Sequence, residues 1–69
     1  MAKKTREITE KEKVLIQLIA EGYIDAEIKE KLNVSGATIR NWLEKAYIKT
    51  ATINRPHLVY WAAKNNILS

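Results

Sequence analysis

Leu32-Asn33-Val34-Ser35-Gly36-Ala37-Thr38-Ile39-Arg40-Asn41-Trp42-Leu43-Glu44-Lys45-Ala46-Tyr47 is the run whose reading decides how this chain folds. Asn33 tolerates the left-handed backbone of a tight turn, and Ser35 is a residue type that caps helix N-termini. Beyond the cap, Ile39, Leu43, Ala46 and Tyr47 recur at i, i+4, i+7 and i+8, one stripe of an α-helix. Trp42 flanks that stripe. The opposite face carries Gly36, Ala37, Arg40, Asn41, Glu44 and Lys45. Val34 is apolar where a turn is otherwise polar, which fits a plug between two helices. The run reads as turn, cap and amphipathic helix.

The flanking sequence supplies three more helices. Thr9-Glu10-Lys11-Glu12 has the capping-box pattern. Leu15, Ile16, Leu18 and Ile19 follow at helical spacing, and Gly22 provides a left-handed end after Glu21. A second helix is predicted from Asp25 to Leu32, with Asp25 as cap or first-turn acid and Ile28 and Leu32 on one buried face. The third helix is predicted from Gly36 to Lys49, followed by a β-branched linker from Thr50 to Ile53. Asn54 can cap a fourth helix, with Pro56 tolerated in its first turn and Leu58, Val59, Ala62 and Ala63 as its stripe. Asn65-Asn66 ends it, and Ile67-Leu68 is expected to fold back on the core. No stretch alternates apolar and polar residues as a strand would. The expectation is an all-α domain over residues 8–69, preceded by a basic N-terminal arm over residues 1–7.

Size and composition narrow the function. Sixty-nine residues make one domain, and a domain this small buries only about 60% of its unfolded surface. There is no cysteine, so stability must come from helix packing or oligomerisation. One histidine, His57, and scattered carboxylates do not compose a metal site. No Ser/His/Asp or Cys/His arrangement and no phosphate-cradling glycine loop is present, and Ser35 reads as a cap, not a nucleophile. No catalysis and no cofactor are expected. The apolar runs fall far short of the ~20 residues of a membrane span, and no leader pattern is present, so a cytoplasmic location is expected. The net charge of +4 and a pI near 9.5 favour an anionic partner, most commonly nucleic acid.

Two helices joined by a short turn, the second amphipathic, form a helix-turn-helix pattern. The chain resembles the LuxR/GerE-type helix-turn-helix domain of bacterial transcription regulators, without gaps, from Ile8 to Leu68. The resembling residues are Ile8-Thr9-Glu10, Glu12, Leu18 to Gly22, Glu27-Ile28, Leu32, Val34-Ser35, Ala37 to Asn41, Leu43, Tyr47, Lys49, Asn54-Arg55, Val59, Ala62 and Ile67. The stretch from Val34 to Asn41 is the most specific. The resemblance implies four helices, with the third in the DNA major groove and the fourth supplying a two-fold contact. It implies base contacts from Arg40, Asn41 and Glu44, with which the helical wheel groups Ala37, and phosphate contacts from Thr38 and Lys49, to which helix-end position and charge add Ser35 and Lys45. On the fourth helix, Tyr60, Trp61 and Lys64 are the candidate dimer or partner surface. The family usually has His at the place of Trp42, a small or polar residue at Tyr60, a Leu-Gly-Val signature over Thr50 to Ile53, an acid at His57 and a charge at Val14. Its members usually carry a sensory or receiver domain ahead of this unit. The chain is then either a regulator without a sensor or the binding piece of a longer one.

The chemistry suits the resemblance. Arg bonds guanine O6 and N7 in bidentate fashion, and Asn does the same for adenine N6 and N7. Lys29, Lys31, Lys45 and Lys49 offer sequence-independent attraction to phosphate. Arg40 and Asn41 also admit a plain solvent-facing reading, Trp42 suits a core edge better than a groove, and Tyr60 and Trp61 suit either core or interface. Two functions follow: a dimeric, sequence-specific regulator that binds double-stranded DNA, or a helix-turn-helix module that docks on another regulator or polymerase without binding DNA.

Overall fold

A computed structural model describes residues 8–68; the basic arm expected over residues 1–7 lies outside the described residues. Four α-helices follow in order: α1 (Glu10–Ala20), α2 (Asp25–Leu32), α3 (Gly36–Thr50) and α4 (Arg55–Lys64). There is no strand among the described residues, and the all-α helix-turn-helix expectation holds. The core is formed by Leu15 and Ile16 of α1, Ile28 of α2, Ile39, Leu43 and Ala46 of α3, and Leu58 and Ala62 of α4. All belong to the predicted stripes; of the remaining stripe residues Leu18, Ile19, Leu32, Tyr47 and Val59 are half-buried, and Ala63 is exposed. α3 packs on each of the other helices, while α1 packs most extensively on α4.

Each helix start is fixed by its side chains, with one exception. Thr9 accepts from the Glu12 amide at 3.2 Å while the Glu12 carboxylate accepts from the Thr9 amide at 2.9 Å, completing the capping box. Ser35 accepts from the Thr38 amide at 3.1 Å, and Asn54 from the His57 amide at 2.9 Å. His57 stands where an acid would complete a capping box, but its Nδ1 accepts from the Ile53 amide at 3.3 Å, one residue before the cap. The exception is α2. Its cap position is held by Ile24, not by Asp25, and Ile24 has no acceptor to offer. The Glu27 carboxylate returns to the Ile24 amide at 3.0 Å, half of a capping box.

The helix ends share one device. Gly22, Asn33, Ala51 and Asn66 all take positive φ, at 94°, 56°, 57° and 58°. In each case the amide of the following residue reaches back five residues: Tyr23 to Leu18, Val34 to Lys29, Thr52 to Tyr47 and Ile67 to Ala62, at 2.9–3.1 Å. This is the Schellman closure, and each of those four following residues is turned at least partly into the protein. Thr50 belongs to α3 and not to the linker. It is buried, donates its hydroxyl to the Ala46 carbonyl at 2.8 Å and shares a hydrogen bond with the buried Thr52 hydroxyl at 2.8 Å. The usual Leu and Val of the family signature are thus replaced by two satisfied hydroxyls.

Two substitutions test these ends. Left-handed backbone costs a residue with a Cβ roughly 1–2 kcal/mol, so Ala51→Gly should stabilise the domain by about 1 kcal/mol and raise its urea midpoint. Ile24→Ser should supply the missing cap and stabilise by about 1 kcal/mol. An unchanged midpoint would show that the α2 start is already satisfied.

Candidate nucleic-acid interface

α2, the three-residue turn Asn33–Ser35 and α3 place one face of α3 outward. Ala37, Arg40, Asn41, Glu44 and Lys45 are all exposed along it, while Ile39, Leu43 and Ala46 on the other side are buried. The helix is thus held by its apolar stripe and leaves a polar surface free. Trp42 packs against the core at the edge of an apolar groove of about 350 Å³, shared with Val14, Leu32 and Val34 and rimmed by Glu10 and Lys11.

The N-terminus of α3 carries partial positive charge, because first-turn amides have no intrahelical acceptor. Ser35 and Thr38 sit there with hydroxyls 3.0 Å apart. One hydroxyl proton joins the two oxygens, and the second is left to donate elsewhere. The Lys29 stem runs alongside, its Cδ 3.8 Å from where a Cβ on Gly36 would stand. This end of the helix therefore combines amide, hydroxyl and ammonium donors, the set that suits a phosphate.

Two ion pairs tie together the helices that carry and support the outward face of α3. Lys49 lies off that face, its Nζ 2.8 and 3.1 Å from the two Glu12 carboxylate oxygens. The pair joins the first turn of α1 to the last turns of α3. Burial alone would push the Glu12 carboxyl up, but the Lys49 ammonium and the Thr9 amide hold it below its ordinary value. The second pair is a bidentate fork, Arg55 Nη1 and Nη2 to Asp25 Oδ1 and Oδ2 at 2.7 and 3.0 Å. It ties the start of α4 to the start of α2. The Arg55 hydrogen bond is the main reason the Asp25 carboxyl lies below its usual range, and Arg40 and Lys29 add to the effect. Both partners are substantially solvent-exposed, so the fork contributes orientation more than stability.

On α4, Trp61 packs against the core, while Tyr60 is 61% exposed with the Lys64 ammonium 5.5 Å from its ring centre. Tyr60 and Lys64 face outward together, and Trp61 stands half inside. Sequence reasoning did not foresee Asp25–Arg55, because a contact across 30 residues leaves no periodic trace. It also passed over Ile48, which is exposed on α3 although a seven-residue step from Asn41 already places it on the outer face.

Among the described residues, no helix is long and apolar enough to cross a membrane. A family model described as bacterial regulatory proteins, luxR family, matches residues 6–62. A probable transcriptional regulator, ycf29 of Cyanophora paradoxa, is 33% identical over 61 residues, covering 88% of this chain. The chain spans 29% of that relative's length. No solved structure matches the chain significantly.

The Glu12–Lys49 pair yields a pH-dependent prediction. The folded-state Glu12 value lies below the unfolded one. Its contribution is therefore full above the ordinary carboxylate range and is lost as pH falls through that range. Lys49→Met should destabilise the domain by about 3 kcal/mol at neutral pH, since it strands a buried carboxylate. The deficit, read from urea curves, should shrink on acidification. A deficit of constant size would mean that only packing was lost.

Proposed function

The chain belongs to the luxR family of bacterial regulatory proteins, and on that premise we propose that it binds double-stranded DNA sequence-specifically as a transcription regulator, with α3 in the major groove. The observation that carries the proposal is the exposed face of Ala37, Arg40, Asn41 and Glu44, offered by a helix whose other side is anchored in the core. Arg40 and Asn41 have the donor geometry for guanine and adenine edges, and Glu44 can accept from cytosine N4. Ser35, Thr38 and Lys45 are assigned to phosphates flanking the groove. Lys49, committed to Glu12, takes part by fixing α3 and not as a phosphate contact.

The dimer belongs to the same proposal. Tyr60, Trp61 and Lys64 on α4 form its contact, with Tyr60 and Lys64 supplying the exposed part. Two copies related by a two-fold axis would read half-sites about 10 base pairs apart. The name of the Cyanophora paradoxa relative and the basic balance of the chain agree with a DNA regulator.

The test is titration of duplexes recovered by selection from a random pool, beside unselected duplexes. Arg40→Ala should weaken the selected site by roughly 10-fold or more and leave the unselected duplexes nearly unchanged. Affinity should fall steeply with salt. A chain that binds no duplex at about 50 mM salt, yet forms a salt-insensitive complex with a protein partner, would establish the protein-docking module instead.

A further inference from the structure

Ile48 is 80% exposed, the most exposed large apolar side chain among the described residues. It lies in the last turns of α3. With about 100° between successive residues, Arg40, Glu44, Ala37, Ile48, Asn41 and Lys45 follow one another across an arc of about 140°. Ile48 therefore stands in the middle of the proposed reading face, between Ala37 and Asn41 in projection. From Ala37 to Ile48 this face extends about 16 Å along the axis, a little more than the width of the major groove.

We propose that Ile48 is a specificity-determining residue that makes an apolar contact with the 5-methyl group of a thymine at one end of each half-site. The inference rests on α3 being the DNA-reading helix. Thymine is the base whose major-groove edge carries a methyl group, and Ile48 is the large aliphatic side chain in an arc otherwise made of Ala and polar groups. Polar partners cannot satisfy Ile48, and leaving it in water forfeits its burial. A methyl contact removes that apolar surface from solvent while Arg40 and Asn41 hold the polar edges. The contact also fixes the pose: α3 must lie along the groove for its last turns to reach the bases, and not enter it end on.

Replacing each thymine of a selected duplex singly with deoxyuridine removes the methyl group and leaves the hydrogen-bonding edge intact. With the full chain, one such replacement per half-site should weaken binding about fourfold, the affinity equivalent of burying one methyl. Ile48→Ala, which removes the contact from both half-sites, should bind the original duplex roughly 15-fold more weakly and be indifferent to the same replacement. Its helix content and melting should match the parent, since the side chain is outside the core. Retained sensitivity in Ile48→Ala, indifference of the parent at every thymine, or a selected site without thymine would overturn the proposal. Arg40→Ala serves as the arbiter. If Arg40 matters and Ile48 does not, the methyl contact alone is wrong; if neither matters, the reading face itself is wrong.

Discussion

The structure depends on how its helices stop. Helices of 11, 8, 15 and 10 residues must reverse over one small core without a disulfide, so each end has to be sharp and has to send the chain inward. The repeated Schellman closure does both. A left-handed residue turns the backbone, and the next residue, Tyr23, Val34, Thr52 or Ile67, is brought back toward the protein. Only one of the four left-handed positions is glycine. Two are asparagine, which tolerates the conformation, and Ala51 accepts its cost because Thr50 and Thr52 on either side are locked to each other.

The two ion pairs complete what the turns begin. The helix ends turn the chain back over the core, while Glu12–Lys49 ties α1 to α3 and Asp25–Arg55 ties α2 to α4. Glu12 is shared between local and long-range structure: one carboxylate caps α1 and grips α3. The same group that starts the first helix therefore fixes the far end of the third, opposite the end where Ser35 and Thr38 face outward. The candidate reading face is thus braced from behind by the Glu12–Lys49 pair.

Most of this was legible in the sequence because it is local. The capping box at Thr9, the left-handed Asn33, the cap at Ser35 and the stripe Ile39–Leu43–Ala46 are short-range patterns, and each appears where the spacing predicts it. α2 runs from Asp25 to Leu32 as the spacing predicts, and of the two places open to Asp25 it takes the first turn, leaving the cap position to Ile24. Thr50 was read as linker because a β-branched polar residue gives no sign that its hydroxyl will close on Ala46. The outer face of α3 was legible by elimination from the apolar stripe. Ile48 escaped because aliphatic residues invite assignment to a core.

The poorly furnished start of α2 bears on motion. This helix contributes a single residue, Ile28, to the buried core, lacks a side-chain cap, packs chiefly on α3 and is tied to α4 through a solvent-exposed fork. Local opening free energies follow such differences in burial and bonding. α2 is accordingly the segment whose amides should exchange with solvent through sub-global opening, while α1, α3 and α4 remain assembled. The first half of the helix-turn-helix then behaves as a hinged support whose seating on α3 is itself an equilibrium. Any ligand that touches both helices would draw part of its apparent affinity from closing that equilibrium.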